Sequence, residues 1–98
     1  MNTKEIIMLE MLLKMKKEDL KRLININEMI EETQSQVNHW HKLYVAKSKD
    51  TLVSSFSIDD IYHYMTEFYQ LYASALDTKE KILEDLEDVE HYIDIYNV

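Results

Sequence analysis

The feature that most constrains the fold is an apolar repeat running from Ile58 to Tyr96. Counted from Ile58 in alternating steps of three and four residues, the repeat has twelve positions, of which eleven are apolar and one is Lys79. Because 46% of the chain is hydrophobic, chance would place about five or six apolar residues there. The spacing therefore predicts one long α-helix that buries a stripe of side chains against another helix.

A second repeat with the same spacing covers residues 6–44 and consists of two columns, each a set of residues seven apart. The first column is apolar at all positions but one: Leu9, Lys16, Leu23, Ile30, Val37 and Tyr44. The second column is apolar at its start and polar at its end: Ile6, Leu13, Leu20, Asn27, Gln34 and His41. A long helix explains both columns. Two arrangements of the polar part stay open: the contact face rotates toward Ile26 and Trp40, or a polar track runs inside the contact.

The segment between the repeats is rich in Ser and charged residues and lacks heptad order, so we expect a connecting loop there. Ser57 followed by Asp60 is typical of a helix start, because the hydroxyl can accept a backbone N–H and acidic side chains favour the first turn. Asp77 with Glu80 is a weaker start signal that could break the second helix, but the unbroken spacing across Lys79 favours a continuous one. The expected organisation is a single domain, 1–98, with a first helix at about 4–46, a loop at about 47–57 and a second helix at about 58–96.

The chain contains no Gly, Pro or Cys, which are the residues that tight β-turns, phosphate-binding loops, disulfides and zinc–thiolate sites depend on. We therefore expect an all-α fold, a long antiparallel helical hairpin that resembles a coiled coil. Folding the chain about residue 51 would place Lys14 opposite Asp88 and Lys17 opposite Asp85. The basic run of the first helix then lies beside the acidic segment of the second, and such flanking charges help to set helix orientation.

Charge is divided unequally between the two halves of the chain. Residues 1–49 carry nine basic and seven acidic side chains, a net charge of +2, whereas residues 50–98 carry two and twelve, a net charge of −10. An acidic chain is repelled by phosphate groups, so direct binding to DNA or RNA is disfavoured. Basic partners, or protein sites that normally receive nucleic acid, are favoured instead.

No stretch of the sequence approaches the ~18 consecutive apolar residues of a membrane span. The apolar run at residues 6–15 is interrupted by Glu10 and Lys14, and no small-residue cleavage site follows it, so a signal peptide is not expected either. We expect a cytoplasmic protein that has no contact with a membrane.

Several acidic and histidine pairs have the spacing of metal ligands on one helix face, but they fall outside the predicted contact stripe. They are His63 with Glu67, Glu87 and Asp88 with His91, Glu28 with Glu31, and Glu84 with Glu87. The Glu-x-x-Glu pairs resemble the metal ligands of helical nucleotide pyrophosphatases, yet no clear Lys/Arg cluster for phosphate accompanies them. Solvated helix surface is the simpler interpretation. Because no nucleophile motif or nucleotide loop is present, we expect no metal, no cofactor and no enzymatic activity.

Half of the ten aromatic side chains lie within eleven residues: Tyr62, Tyr64, Phe68, Tyr69 and Tyr72. They occupy several helix faces, and one hairpin contact can bury only part of them. Tyr and Trp are enriched at protein interfaces. The predicted partner-binding residues are therefore Tyr62, Tyr64, Tyr69 and Trp40.

The apolar side chains beside the contact stripe also exceed what one neighbouring helix can cover. Both helices show a stripe of about three positions in seven, which is typical of a helix with more than one neighbour. We therefore expect the hairpin to form a homodimer, a four-helix bundle. The predicted dimer interface consists of Ile7, Met11, Leu12, Leu76 and Leu83.

The small size, the acidity and the high content of Ile, Asn, Lys and Tyr resemble those of accessory proteins of phages and mobile elements in low-GC bacteria, including small inhibitors of host defence or transcription. This resemblance implies a non-enzymatic protein that occupies a surface of a host protein. An alternative is a secreted helical-hairpin partner similar to the Trp-x-Gly family of type VII secretion substrates. Length, hairpin form and the central Trp40 match that family, but His39-Trp40-His41 is not followed by Gly and no Tyr-x-x-x-Asp/Glu export signal lies near the C-terminus.

Overall fold

The computed structural model describes residues 1–49 and 56–97, which form two α-helices, α1 (Thr3–Ser48) and α2 (Ile58–Tyr96). These residues contain no β-strand, and the predicted all-α helical hairpin is confirmed. α2 continues without a break through Asp77. Residues 50–55 of the predicted loop lie outside the described residues.

Both helices begin at a capping side chain. The backbone N–H of Asp60 donates to Ser57 Oγ at 3.1 Å, which is the cap that the sequence predicts for α2. The backbone N–H of Glu5 likewise donates to Asn2 Oδ1 at 2.9 Å at the start of α1. Each cap satisfies a backbone donor that has no partner inside its helix.

Contacts within the hairpin divide the chain into a terminal unit, Met1–Asn27 with Asp77–Val98, and a loop-side unit, Glu28–Leu76. The core of the terminal unit is formed by Leu12 of α1 with Val89 and Ile93 of α2. Leu9 and Tyr96, which are half-buried, pack against this core. Burying a Val, Leu or Ile side chain contributes about 1.5–3 kcal/mol, so a few such residues supply much of the stability of a hairpin.

The buried face of α2 agrees with the predicted stripe. All of its positions except Ile58 are buried or half-buried, including Lys79, whose aliphatic stem can pack while its ammonium group stays in water. The buried members are Ile61, Ala75, Leu86, Val89 and Ile93, of which Ile61 is fully buried.

The contact face of α1 differs from the predicted one. In place of the second predicted column, the column one residue earlier in the sequence faces α2. Ile6, Leu13 and Leu20 of that column are exposed, as are Gln34 and His41. The buried or half-buried column consists of Leu12, Asp19, Ile26, Thr33 and Trp40. Of the two arrangements left open by the sequence, the rotation toward Ile26 and Trp40 is therefore the one that occurs. One residue corresponds to about 100° around a helix, so this choice decides which side chains face solvent.

The rotated face carries two buried polar side chains, Asp19 and Thr33. The hydroxyl of Thr33 donates to the backbone carbonyl of Met29 at 2.8 Å, so its hydrogen-bonding need is met within α1. Asp19 differs from Thr33, because only its Oδ1 accepts a hydrogen bond from the described residues, while its Oδ2 accepts none.

The charges between the helices of the terminal unit do not pair as predicted. Lys16 Nζ lies 3.6 Å from Glu90 Oε1, in place of the predicted pair of Lys14 with Asp88. Asp85 interacts with Asp19 and Arg22 across the helix contact, in place of the predicted pair of Asp85 with Lys17. The rotation of α1 explains both corrections, because Lys16 and Asp19 lie on its contact face while Lys14 and Lys17 are exposed.

Candidate binding surfaces

An open apolar groove lies beside the helix contact of the loop-side unit, with a volume of about 460 Å³. Its lining comes from both helices and consists of Val37, His41, Tyr62, Met65, Thr66 and Tyr69; we call it the tyrosine groove. Tyr62 and Tyr69 are 55% and 59% exposed, so most of their ring surface is free for contact. The two tyrosines are seven residues apart on α2, which places them on one side of the helix.

The orientation of Tyr62 is supported from α1. The rings of Tyr62 and Tyr44 lie 6.0 Å apart with an interplanar angle of 51°. Such tilted aromatic pairs add about 0.5–1.5 kcal/mol beyond area burial. Tyr44 is half-buried and therefore fixes one side of the Tyr62 ring, while the other side stays accessible.

Trp40 and Tyr64, which were also predicted to bind a partner, are placed in a separate aromatic cluster. Their rings stack at 4.9 Å with an interplanar angle of 28°. Phe56 lies edge-on to both rings, at 5.5 Å from Trp40 and 6.2 Å from Tyr64. Because these rings pack against one another, a substitution of Trp40 or Tyr64 would disturb the local packing as well as any binding. The structure thus brings Tyr62 and Tyr69 together and separates them from Trp40 and Tyr64.

Four of the five predicted dimer residues are exposed. Leu12 is buried in the core of the terminal unit, so its side chain is used inside the hairpin. Ile7 and Met11 are exposed on α1, and Leu76 and Leu83 are exposed on α2. Only the last four are available to a second copy of the chain.

Exposed aliphatic side chains nevertheless recur every seven residues along α1 in the terminal unit. Leu13 and Leu20 each come directly after a buried residue of α1, Leu12 and Asp19. Leu83 comes directly after Ile82, a contact residue of α2, in the same way. In an antiparallel pair, such positions of the two helices lie on the same side of the contact. The exposed aliphatic members on this side, which we call the leucine stripe, are Ile6, Leu13, Leu20 and Leu83; Glu87, Glu90 and Asp94 of α2 follow contact residues in the same way. Sequence reasoning missed three members of the leucine stripe because it placed them inside the hairpin.

The other side of the terminal unit carries a second groove, with a volume of about 440 Å³. Its lining, which we call the methionine groove, consists of Met8, Leu12, Met15, Asp85, Asp88, Val89, Tyr92 and Tyr96. The sequence analysis did not single out this groove. The sequence does contain a pattern that indicates the groove. Met8 and Met15 are seven residues apart, as are Asp85 and Tyr92, and each of the four directly precedes a residue of the contact face.

A pair of carboxyl groups lies at the edge of the methionine groove. Asp19 is only 2% exposed. Its Oδ1 accepts a hydrogen bond from Arg22 Nη1 at 3.1 Å, but its Oδ2 is buried without a hydrogen-bond donor among the described residues. A hydrogen bond with Asp19 raises the pKa of Asp85; desolvation and the negative charge of Asp19 act in the same direction, while Arg22 opposes them. The pair therefore favours a proton or another cation between the two helices.

The metal-ligand spacings noted in the sequence fall on exposed helix surface. His63 Nε2 and Glu67 Oε2 are 3.7 Å apart, and both side chains are largely exposed. Across residues 1–49 and 56–97, no three His, Asp or Glu side chains come together in an arrangement that could hold a metal ion.

No protein-family model, curated protein or solved structure matches the chain. In the part of the chain that the structure describes, neither helix contains a segment long and apolar enough to cross a bilayer.

Proposed function

We propose that the hairpin is a non-enzymatic protein-interaction module whose tyrosine groove occupies a surface on another protein. The observation that carries this proposal is the pair of exposed rings, Tyr62 and Tyr69, over an apolar lining that includes Val37 and Met65. Tyr combines a large apolar ring with a hydroxyl that can hydrogen-bond at the rim of an interface. A buried anchor of this kind typically contributes about 2 kcal/mol or more to binding.

The side chains that line this groove are held in place before any partner binds. Tyr62 is held by Tyr44, and both helices that line the groove are anchored on the buried Ile61 and Ala75 of the same unit. An interface that is already ordered before binding loses less conformational entropy when the partner arrives. The ordered groove therefore lowers the entropic cost of binding a partner.

We further propose that the chain acts as a homodimer joined through the leucine stripe. The four members of the stripe are exposed aliphatic side chains on one side of the terminal unit. Aliphatic residues are typical of homodimer interfaces, whereas the tyrosine groove has the aromatic character of a surface for a different partner. Two surfaces in two units would let one protein dimerise and bind a target at once.

The narrower sequence-based hypothesis is a cytoplasmic phage or mobile-element protein that inhibits a host protein. The net charge of −8 supports a target with a basic surface, such as a protein site that normally receives nucleic acid. The alternative, a type VII secretion partner similar to the Trp-x-Gly family, remains a prediction. Neighbouring genes distinguish the two: phage genes support the first, and a type VII secretion locus supports the second.

The proposal is tested by affinity purification of the tagged protein from its native cells with quantitative mass spectrometry. Tyr62→Ala/Tyr69→Ala is compared with His63→Ala/Gln70→Ala, which truncates two exposed side chains of the same helix segment that do not line the groove. We expect the tyrosine variant to lose specific partners by more than about tenfold, because two anchors are removed. Equal recovery of every partner by both folded variants contradicts the proposal.

A further inference from the structure

The methionine groove of the terminal unit combines two properties that point to one kind of occupant. Its accessible apolar lining is supplied by Met8, Met15 and Tyr92, which are all exposed. Met side chains are flexible and polarisable, and they adapt to the side chains of a docked helix. Its polar lining is supplied by two carboxylates, Asp85 and Asp88, without a basic residue among them.

The carboxyl pair adds a requirement for positive charge at one place in this groove. Asp85 lines the groove beside Asp19, whose Oδ2 is buried without a hydrogen-bond donor among the described residues. The guanidinium group of Arg22 already donates a hydrogen bond to Oδ1 of Asp19. Two neighbouring carboxylates repel one another, and a cation bound at the exposed Asp85 lowers that repulsion.

We propose that the methionine groove binds a basic amphipathic helix of a partner protein, with a Lys or Arg side chain of that helix at Asp85. The methionine groove is separate from the tyrosine groove. The inference rests on the proposed function only in the claim that the chain binds other proteins.

Geometry favours a helix as the occupant. Met8 and Met15 are seven residues apart, which corresponds to about 10 Å along α1, or two helical turns. A docked helix presents apolar residues at i, i+3 or i+4 and i+7 over the same distance, so its apolar face matches the lining. The groove itself lies between two helices, and a third helix would complete a three-helix contact.

Charge favours a basic partner over a second copy of this chain. A second copy seated in this groove would bring another acidic chain, with a net charge of −8, against Asp85 and Asp88. A basic helix is attracted by Asp85 and Asp88 and also approaches faster for that reason. The leucine stripe, which lies on the other side of the unit, supplies exposed aliphatic side chains for self-association.

Acidification is expected to weaken this binding. A cation at Asp85 favours the ionised carboxylate, whereas Asp19 favours the protonated form and raises the pKa of Asp85. The charged groups that face Asp85 from α1 are Asp19 and Arg22, and Asp88 lies beside it on α2. Binding of a permanently charged Lys or Arg side chain therefore strengthens as the pH rises through the folded-state pKa of Asp85.

The test uses a labelled synthetic peptide of about 18 residues, which forms about five helical turns. The peptide carries Leu on one face and Lys beside it, and a sister peptide has each Lys replaced by Gln. Fluorescence anisotropy measures the affinity of both peptides for the full chain. We expect the Lys peptide to bind more than about tenfold more tightly, because only it supplies the cation.

Matched variants locate the binding site. Met8→Ala/Met15→Ala should weaken binding of the Lys peptide by about tenfold or more, whereas Leu13→Ala/Leu20→Ala on the other side should leave it unchanged. Asp85→Asn should weaken binding by about three- to tenfold and remove its pH dependence. Glu84→Gln, which removes the same charge from an exposed neighbouring position, should change affinity by less than about twofold.

Three results overturn the proposal. The first is equal affinity for the Lys and Gln peptides, and the second is an equal loss in Asp85→Asn and Glu84→Gln, since only overall charge would then matter. The third is a Met8→Ala/Met15→Ala variant that reduces self-association in sedimentation equilibrium, which identifies a second copy as the occupant. Tyr62→Ala/Tyr69→Ala should bind the Lys peptide normally, so failure here is distinguishable from failure of the tyrosine groove.

Discussion

Truncation of Leu12 to Ala is expected to destabilise the hairpin far more than the same truncation of the adjacent Leu13. Leu12 is 8% exposed and packs on Val89 and Ile93, whereas Leu13 is 49% exposed. Leu→Ala in a buried site costs about 2–5 kcal/mol. We expect the lower part of this range, about 2–3 kcal/mol, because half-buried Leu9 and Tyr96 can move into the space that Leu12 leaves. Leu13→Ala should cost less than about 0.5 kcal/mol.

The assay is urea unfolding followed by far-UV circular dichroism, carried out at low protein concentration so that self-association does not contribute. The two variants have the same composition, so helix propensity and unfolded-state effects cancel in the comparison. A cost for Leu13→Ala that equals or exceeds the cost for Leu12→Ala would refute the rotated contact face of α1. Equal and small costs would show that this pair of helices does not pack as described.

Three further predictions concern the helix start and the charges. Ser57→Ala should lower the free energy of unfolding by about 0.5–2 kcal/mol, and Ser57→Asp should retain the cap and most of the stability in the same urea assay. A double-mutant cycle on Lys16 and Glu90 should give a coupling of about 0.2–1 kcal/mol that disappears in high salt, since both side chains are substantially exposed. The hydrogen bond with Asp19 raises the pKa of Asp85 above its ordinary value of 3.8, so the folded state holds this proton more tightly than the unfolded chain. That contribution to stability is fully present below pH 3.8 and is lost as the pH rises through the folded-state pKa; Asp85→Asn should remove this dependence in unfolding measurements across pH.

The second helix was predictable because its signals agree with one another. The apolar spacing from Ile61 to Tyr96 has no competing column that is equally apolar, and the structure buries or half-buries every position in it. The start at Ser57 was predictable for a local reason, since a hydroxyl cap needs only its own backbone. Features that depend on a single stretch of chain are the ones that sequence determines directly.

The contact face of α1 could not be chosen from the sequence because two adjacent columns compete. Ile6, Leu13 and Leu20 are more apolar than the buried column, which contains the polar residues Asp19 and Thr33. The choice depends on contacts with α2, such as the stacking of Trp40 on Tyr64 in the loop-side unit. Such contacts are properties of the folded pair and are not visible in one helix.

The candidate surfaces were predictable only in part for the same reason. Tyr62 and Tyr69 lie beside the α2 stripe, and their exposure follows from that position. Tyr64 differs from them because its partner Trp40 comes from α1 and depends on the rotation of that helix. The methionine groove also requires the rotation, since Met8 and Met15 border the contact only when Leu12 is buried.

The most direct test of the proposed interaction surface is photo-crosslinking from inside the tyrosine groove. A benzophenone amino acid is placed at Thr66, which lines the groove, and in a control protein at Gln70, which is exposed and does not line it. After irradiation in native cells, the Thr66 probe is expected to give a discrete crosslinked partner that disappears in a Tyr62→Ala/Tyr69→Ala background. Crosslinks of equal yield and identity from Gln70, or a Thr66 adduct that persists without the two tyrosines, would contradict a binding role for this groove.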